Sequence, residues 1–258
     1  MTQTLVFDVF SRCVEAIVGG KLIRRESSRD KEFHFQDWFA DRLDETGADF
    51  DEPKRNKYPD FTAVGYAEGY ETKGLEYPGR EADYDANSQM PTGLHKGRTI
   101  FYVFGRYPKE ASAESEYPVV DLVVCHGDFL NADHDYRHKN KNVKGFGSYG
   151  DIMIRDRKMY VVPTPFAIAT GLNAMRTLIL PSDYEVPDGF AKVGDLVRTE
   201  AAQLVVAYDF DLRTNEIRAH KAPNPNAGRE HHFAAYRLAS DPSTPVEIVE
   251  GPSQPELG

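Results

Sequence analysis

Two almost unbroken apolar runs constrain the fold more than anything else in this chain. Residues 99–107 read TIFYVFGRY and residues 119–126 read VVDLVVCH. Both are rich in β-branched and aromatic residues. The second shows almost no alternation of polar and apolar positions, as expected of a strand covered on both faces. The economical reading is one mixed α/β domain with a strand-rich C-terminal half.

The flanking segments fill in that outline. Residues 5–18 place Leu5, Val6, Val9, Phe10, Cys13, Val14, Ile17 and Val18 at helical spacing, and Gly19-Gly20 supplies a stop. A second helix is predicted over 35–45, with Trp38, Phe39 and Leu43 inward and Gly47 behind it. The densely charged residues 21–31 between them read as a solvated loop. Residues 61–67 and 69–75 read as two strands joined by a tight turn at Glu68-Gly69. A hairpin is predicted over 151–155 and 158–162, and a short helix over 166–175. Further short strands are expected at 204–210, 217–220, 233–238 and 246–249. Residues 1–240 thus form one expected domain. Residues 241–258, rich in Pro, Ser and Glu, are expected to be a loosely ordered tail.

Composition narrows the function classes. The chain has 258 residues, 40% of them hydrophobic and 28% charged, as in ordinary soluble globular proteins. Its apolar runs all fall short of the ~20 residues a membrane span needs. The N-terminus lacks the basic start and cleavage site of a signal peptide. Cys13 and Cys125 are far apart and form no metal-ligand pair, which fits reduced thiols in the cytoplasm. The net charge of −10 argues against a general nucleic-acid coat protein. It leaves room for a locally positive cleft on an otherwise acidic surface.

The chemistry concentrates in Tyr58-Pro59-Asp60-Phe61 and Tyr70-Glu71-Thr72-Lys73-Gly74. Side chains alternate along a strand, so Glu71 and Lys73 share a face. If the two strands pair and splay at their ends, Asp60 approaches that face. Two neighbouring carboxylates repel unless a cation lies between them. Mg²⁺ is the natural one, since it takes hard oxygen ligands from one or two carboxylates, water and phosphate. Such a metal polarises a phosphate and acidifies a bound water. Lys73 would orient that water or offset transition-state charge.

Pro59-Asp60 followed by Glu71-x-Lys73 resembles the signature of the PD-(D/E)xK nucleases. The gap of ten residues between Asp60 and Glu71 suits that superfamily's variable spacing. The specific match covers about residues 58–74, and the order of elements extends it to about residue 126. The resemblance implies an α/β (α+β) fold with a restriction-endonuclease-like core, in which a mixed central β-sheet is flanked by helices. It also implies that Asp60 and Glu71 bind Mg²⁺ and that Lys73 assists the attacking water. Glu15, on the first predicted helix, is a weak match to an extra metal-binding acid that many members carry.

Two polar stretches are candidate DNA contacts. In residues 79–98, Asn87, Ser88 and Gln89 are placed to read base edges, and Arg80, Lys96 and Arg98 to meet phosphates. In residues 135–149, Arg137, His138, Lys139, Lys141 and Lys144 are interleaved with Tyr136, Phe146 and Tyr149, a composition suited to phosphate contact and base stacking. His126, Asp128, His134 and His138 do not have zinc spacing, so a capping or turn role is expected for His126-Gly127-Asp128. Gly19-Gly20-Lys21 is no P-loop, and no nucleotide cofactor is expected.

The expectation is therefore a type II restriction enzyme, cutting double-stranded DNA with Mg²⁺ as a homodimer, cytoplasmic and without a membrane partner. The alternatives are a repair, replication or modification-dependent nuclease of the same fold, or a non-catalytic DNA-binding protein.

Overall fold

Along the central strands, alternate side chains enter two separate apolar cores, so the main sheet is buried on both sides. The computed structural model describes residues 4–24, 31–51, 58–79, 82–87, 90–109, 116–132, 149, 153–156, 159–211, 216–241 and 244–249. The chain opens with helix α1 (Val6–Val18), strand β1 (Ile23–Arg24), helix α2 (Lys31–Asp44) and strands β2 (Phe50–Asp51), β3 (Phe61–Ala63), β4 (Glu68–Tyr77) and β5 (Asp83–Asn87). Next come β6 (Leu94–His95), β7 (Arg98–Pro108), β8 (Glu116–Tyr117), β9 (Asp121–His126), the short helix α3 (Gly127–Leu130), β10 (Met153–Asp156) and β11 (Met159–Pro163). The C-terminal part holds α4 (Pro165–Ile168), β12 (Ala169–Thr170), β13 (Arg176–Pro181), β14 (Phe190–Thr199), β15 (Gln203–Asp211), β16 (Glu216–Pro223), β17 (Glu230–Leu238) and β18 (Glu247–Ile248).

The fold is mixed α+β, with few helices and one large mixed sheet. Its strand order is β14-β17-β13-β9-β7-β4-β3-β2, with β6 beside the start of β7. The β4–β7 and β9–β13 pairs are parallel, and the other pairs in the sheet are antiparallel. On one face, Tyr70, Phe101, Val103, Leu122 and Val124 meet α1 and α2. On the other, Tyr102, Phe104, Val123 and Cys125 meet Tyr84 of β5, Val162 of β11 and Phe129 of α3. Among the described residues, the long helices therefore cover one face. The small β10-β11-β5 sheet and short helices cover the other.

The packing explains several local choices. No side chain of the adjacent residue Leu5 caps α1; the buried carboxylate of Glu68 in β4 does so instead. Leu5 N–H donates to Glu68 Oε1 at 2.9 Å, and Tyr70 Oη donates to Oε2 at 2.7 Å. Gly74 and Gly105 lie opposite each other on β4 and β7. Together they make the hollow that takes the Phe35 ring of α2: a Cβ on Gly105 would stand 2.0 Å from Phe35 Cε2. On the other face, Arg106 is buried against a carboxylate and an amide. It donates to Asp121 Oδ1 through Nε at 2.8 Å, to Asp121 Oδ2 through Nη2, and to Asn173 Oδ1 at 2.8 Å. The rings of Tyr77 and Phe166 lie against the guanidinium at 4.1 Å and 3.9 Å.

The structure departs from the sequence expectations in several places. The charged segment after α1 contains β1, whose Ile23 is fully buried and whose partner is β8. The turn between β3 and β4 lies at 64–67, with Gly65 at φ +82°, so Glu68 and Gly69 belong to β4. The helix expected over 166–175 is only the four-residue α4, followed by β12 and a turn. Gly171 has φ +77°, and a Cβ there would lie 2.0 Å from Pro245 O, so a helix cannot continue. Strands β2, β5, β6, β8, β13 and β14 fall where none was expected. The strand expected at 246–249 is present as β18, which pairs with β12 beside the buried Val246, within the segment read as a tail. Among the described residues no helix is long and apolar enough to cross a membrane.

Candidate metal centre

The site forms where the antiparallel β3–β4 ladder gives out. The registered pairs are Thr62↔Gly69 and Phe61↔Tyr70, and one more step would set Asp60 opposite Glu71. At that step side chains take over from backbone carbonyls. The N–H of Asp60 donates to Glu71 Oε2 at 3.2 Å, and the N–H of Thr72 donates to Asp60 Oδ2 at 2.9 Å. Each carboxylate thereby holds the other segment's backbone, and the two acids are fixed side by side. Thr72 Oγ1 also donates to Asp60 Oδ2, at 2.8 Å. Asp60 Oδ1 accepts no hydrogen bond from any described residue.

Strand alternation places Glu71 and Lys73 together, as expected. Lys73 Nζ donates to Glu71 Oε1 at 2.8 Å, and each side chain is only 14% exposed. Glu71 faces Tyr102, and Lys73 faces Phe104, across the parallel β4–β7 pair. Burial pushes the Glu71 carboxyl up to about 7; the Lys73 ammonium opposes that rise and the Asp60 carboxylate adds to it. The site thus holds a carboxyl that ionises reluctantly. A divalent cation against Asp60 and Glu71 would remove that reluctance, and the donors are the hard oxygens that Mg²⁺ prefers.

Three tyrosines enclose this pair. Tyr58 and Tyr102 share a hydrogen bond between their hydroxyls at 2.8 Å. Lys73 Nζ lies 5.9 Å from the centre of the Tyr84 ring. Burial pushes all the phenols of this group for which a shift is resolved, Tyr84 and Tyr102, well above the ordinary range, and the Glu71 charge adds to the rise in both. None of the three was selected from sequence. Tyr58 stood beside the Pro-Asp pair, and Thr72 filled the unspecified position of Glu-x-Lys, but neither position carries a residue-type signal. Tyr84 comes from a strand that was read as loop.

The other candidate residues are dispersed. Glu15 is not brought to the site: its side chain is 60% exposed on α1 and pairs with Arg12 at 3.0 Å. The reason is geometric. Helix α1 packs on the Tyr70 face of the sheet, while Glu71 and Lys73 alternate with Tyr70 and point to the opposite face. Among the described residues no group of three or more His, Cys, Asp or Glu side chains is assembled for a metal. Lys96 is exposed at the β6–β7 turn with φ +50°. Arg98 Nη1 donates to the carbonyls of Ala63 at 3.1 Å and Tyr66 at 2.7 Å, which ties down the β3–β4 turn. Asn87 ends β5, with its backbone paired to Met159. Arg80, Ser88, Gln89, Arg137, His138, Lys139, Lys141 and Lys144 lie outside the described residues.

The histidine readings are clear where the residues are described. His126 Nδ1 accepts from Asp128 N–H at 3.2 Å and so caps α3, and burial pushes its imidazole down to about 4. His231 pairs with the buried Glu200 at 2.8 Å, and His232 is exposed. Cys13 and Cys125 are buried and free, with burial raising both thiols.

No protein-family model matches the sequence, and no curated protein matches it significantly.

Proposed function

We propose that this protein is a Mg²⁺-dependent endodeoxyribonuclease with a restriction-endonuclease-like core, acting on double-stranded DNA. The observation that carries the reading is the joining of Asp60, Glu71 and Lys73 through direct hydrogen bonds at the point where β3 and β4 part. A Mg²⁺ ion bound there would polarise the scissile phosphate and lower the pKa of a water ligand. Asp60 and Glu71 supply the carboxylate oxygens. Thr72 fixes the Asp60 carboxylate through its N–H and Oγ1, leaving Oδ1 directed elsewhere. Lys73 keeps an ammonium against Glu71, where it orients the attacking water and offsets charge on the phosphorane-like transition state.

The type II restriction role rests on size and economy, with one module for cutting and reading. A homodimer would match a two-fold-symmetric DNA site. The basic residues of 137–144 are the proposed phosphate contacts.

The test is incubation of wild type, Lys73→Ala and Asp60→Ala with unmodified and methylated plasmid, with Mg²⁺ or EDTA. Discrete fragments are expected from the wild type with Mg²⁺ alone. Each variant should be slower by at least about 10²-fold while still binding DNA. A smear would point to a nonspecific or repair nuclease of the same chemistry. Cutting only of methylated DNA would identify a modification-dependent enzyme. No cleavage of either DNA would leave a DNA-binding protein without catalysis.

A further inference from the structure

Among the described residues, Tyr84 is a buried side chain whose hydroxyl has no hydrogen-bond partner. The residue is 5% exposed, and its hydroxyl oxygen is buried with no hydrogen-bond partner among the described residues. Phenylalanine would fill the same space with no hydroxyl to desolvate, so a silent tyrosine here is a cost without a return. Its location supplies the return. The ring packs edge-on to Phe104 at 5.4 Å and lies 5.9 Å from Lys73 Nζ. Phe104 and Lys73 face each other across the β4–β7 pair, one step from Glu71 and Tyr102. Tyr84 is therefore part of the wall of the Asp60–Glu71–Lys73 group, on the face to which Glu71 and Lys73 point. The two other phenols of that wall, Tyr58 and Tyr102, have satisfied each other at 2.8 Å.

We propose that Tyr84 is a positioning residue of this centre: its ring steadies the Lys73 ammonium, and its hydroxyl hydrogen-bonds an oxygen held by the cation that Asp60 and Glu71 collect. The inference rests on the reading of this group as a divalent-cation site. The oxygen is a water of the hydrated ion in the absence of DNA. With DNA bound, it is a water or a phosphate oxygen. Hydrogen bonds to groups around a bound metal tune its affinity by about 10–100-fold. Strand β5 delivers the hydroxyl: it pairs with β11, and Tyr84 stands opposite Val162 in that ladder. The strand read as loop from sequence thus carries the group.

The experiment compares wild type and Tyr84→Phe with Mg²⁺ alone. Thermal unfolding is followed in EDTA and across a Mg²⁺ titration, and the Mg²⁺ dissociation constant is measured by calorimetry. In EDTA the variant should melt at the wild-type temperature or above it, because a buried unsatisfied hydroxyl has been removed. Its Mg²⁺ affinity should fall by about tenfold, and the Mg²⁺-induced rise in Tm should shrink. No purely structural role gives this pair of opposite signs. Unchanged affinity overturns the assignment. A variant that melts lower in EDTA also overturns it, since the hydroxyl then had a partner in the fold itself. If wild type shows neither a Tm shift nor binding heat with Mg²⁺, the cation-site reading has failed, and this inference with it. A wild type that responds alongside an equally responsive variant removes Tyr84 alone.

Discussion

The buried carboxyl of Glu71 makes a quantitative demand on stability. In the unfolded chain it ionises near its ordinary 4.5, and in the fold burial holds it at about 7. Between these values the native state keeps a proton that the unfolded state has released. Stability must therefore fall as pH rises through that window, and the full loss is present above it. The displacement corresponds to about 3 kcal/mol, and the side chain is buried enough that solvent screening removes little of it. Glu71→Gln keeps the shape and cannot titrate. Urea unfolding of both proteins in EDTA, from about pH 5 to about pH 8, isolates the carboxyl, because constant losses from the substitution cancel in the slope. Trp38, the sole tryptophan, is buried against Phe35 and reports unfolding by fluorescence. Wild type should lose about 3 kcal/mol relative to the variant across this range. Saturating Mg²⁺ should abolish the difference in slope, because the ionised carboxylate then has a cation to face. Parallel pH curves for the two proteins in EDTA would refute the reasoning: Glu71 would then titrate alike in both states.

Two further predictions concern the frame around the site. Gly105→Ala should cost about 1–3 kcal/mol in urea unfolding, because the new Cβ meets the Phe35 ring; trimming that ring with Phe35→Leu should recover part of the loss in the double variant, and strict additivity would count against the contact. Asp121→Ala leaves the buried Arg106 without its carboxylate and should cost about 3–5 kcal/mol, whereas Asp121→Ala combined with Arg106→Met should cost less; a single variant of wild-type stability would show that Asn173 and the two flanking rings suffice.

The central sheet was legible because its core strands announce themselves. TIFYVFGRY and VVDLVVCH became β7 and β9, and Glu71-x-Lys73 fell on β4 with both side chains on one face, since strand alternation is a local rule. The helix α1 followed from its apolar spacing. What failed depended on distant partners. Strand β13 has a short apolar run that local periodicity cannot assign, and it is made a strand by parallel pairing with β9. Strand β14 mixes the exposed Lys192 and Asp195 with apolar residues because, among the described residues, it is an edge strand paired in the sheet with β17. Strand β5 reads as polar, and its place over the site is fixed by β11, some 75 residues along the chain. The site divides in the same way: Asp60, Glu71 and Lys73 were visible as residue types at a spacing, whereas the tyrosine wall exists only after folding. The mis-set turn at Glu68-Gly69 has a similar cause. Glu68 looks like a surface turn residue until α1 arrives to use its carboxylate.

The two carboxylates also differ in how their chain segments are anchored. Glu71 rides on a strand locked to β7 through ten consecutive register pairs, deep inside the sheet. Asp60 immediately precedes a three-residue strand that has two register pairs to β4. One half of the pair sits within a long ladder, and the other stands at the end of a short one. Any separation of the two acids would fall on Asp60's segment before Glu71's, and it would break the hydrogen bonds from the N–H groups that each carboxylate holds in the other's segment.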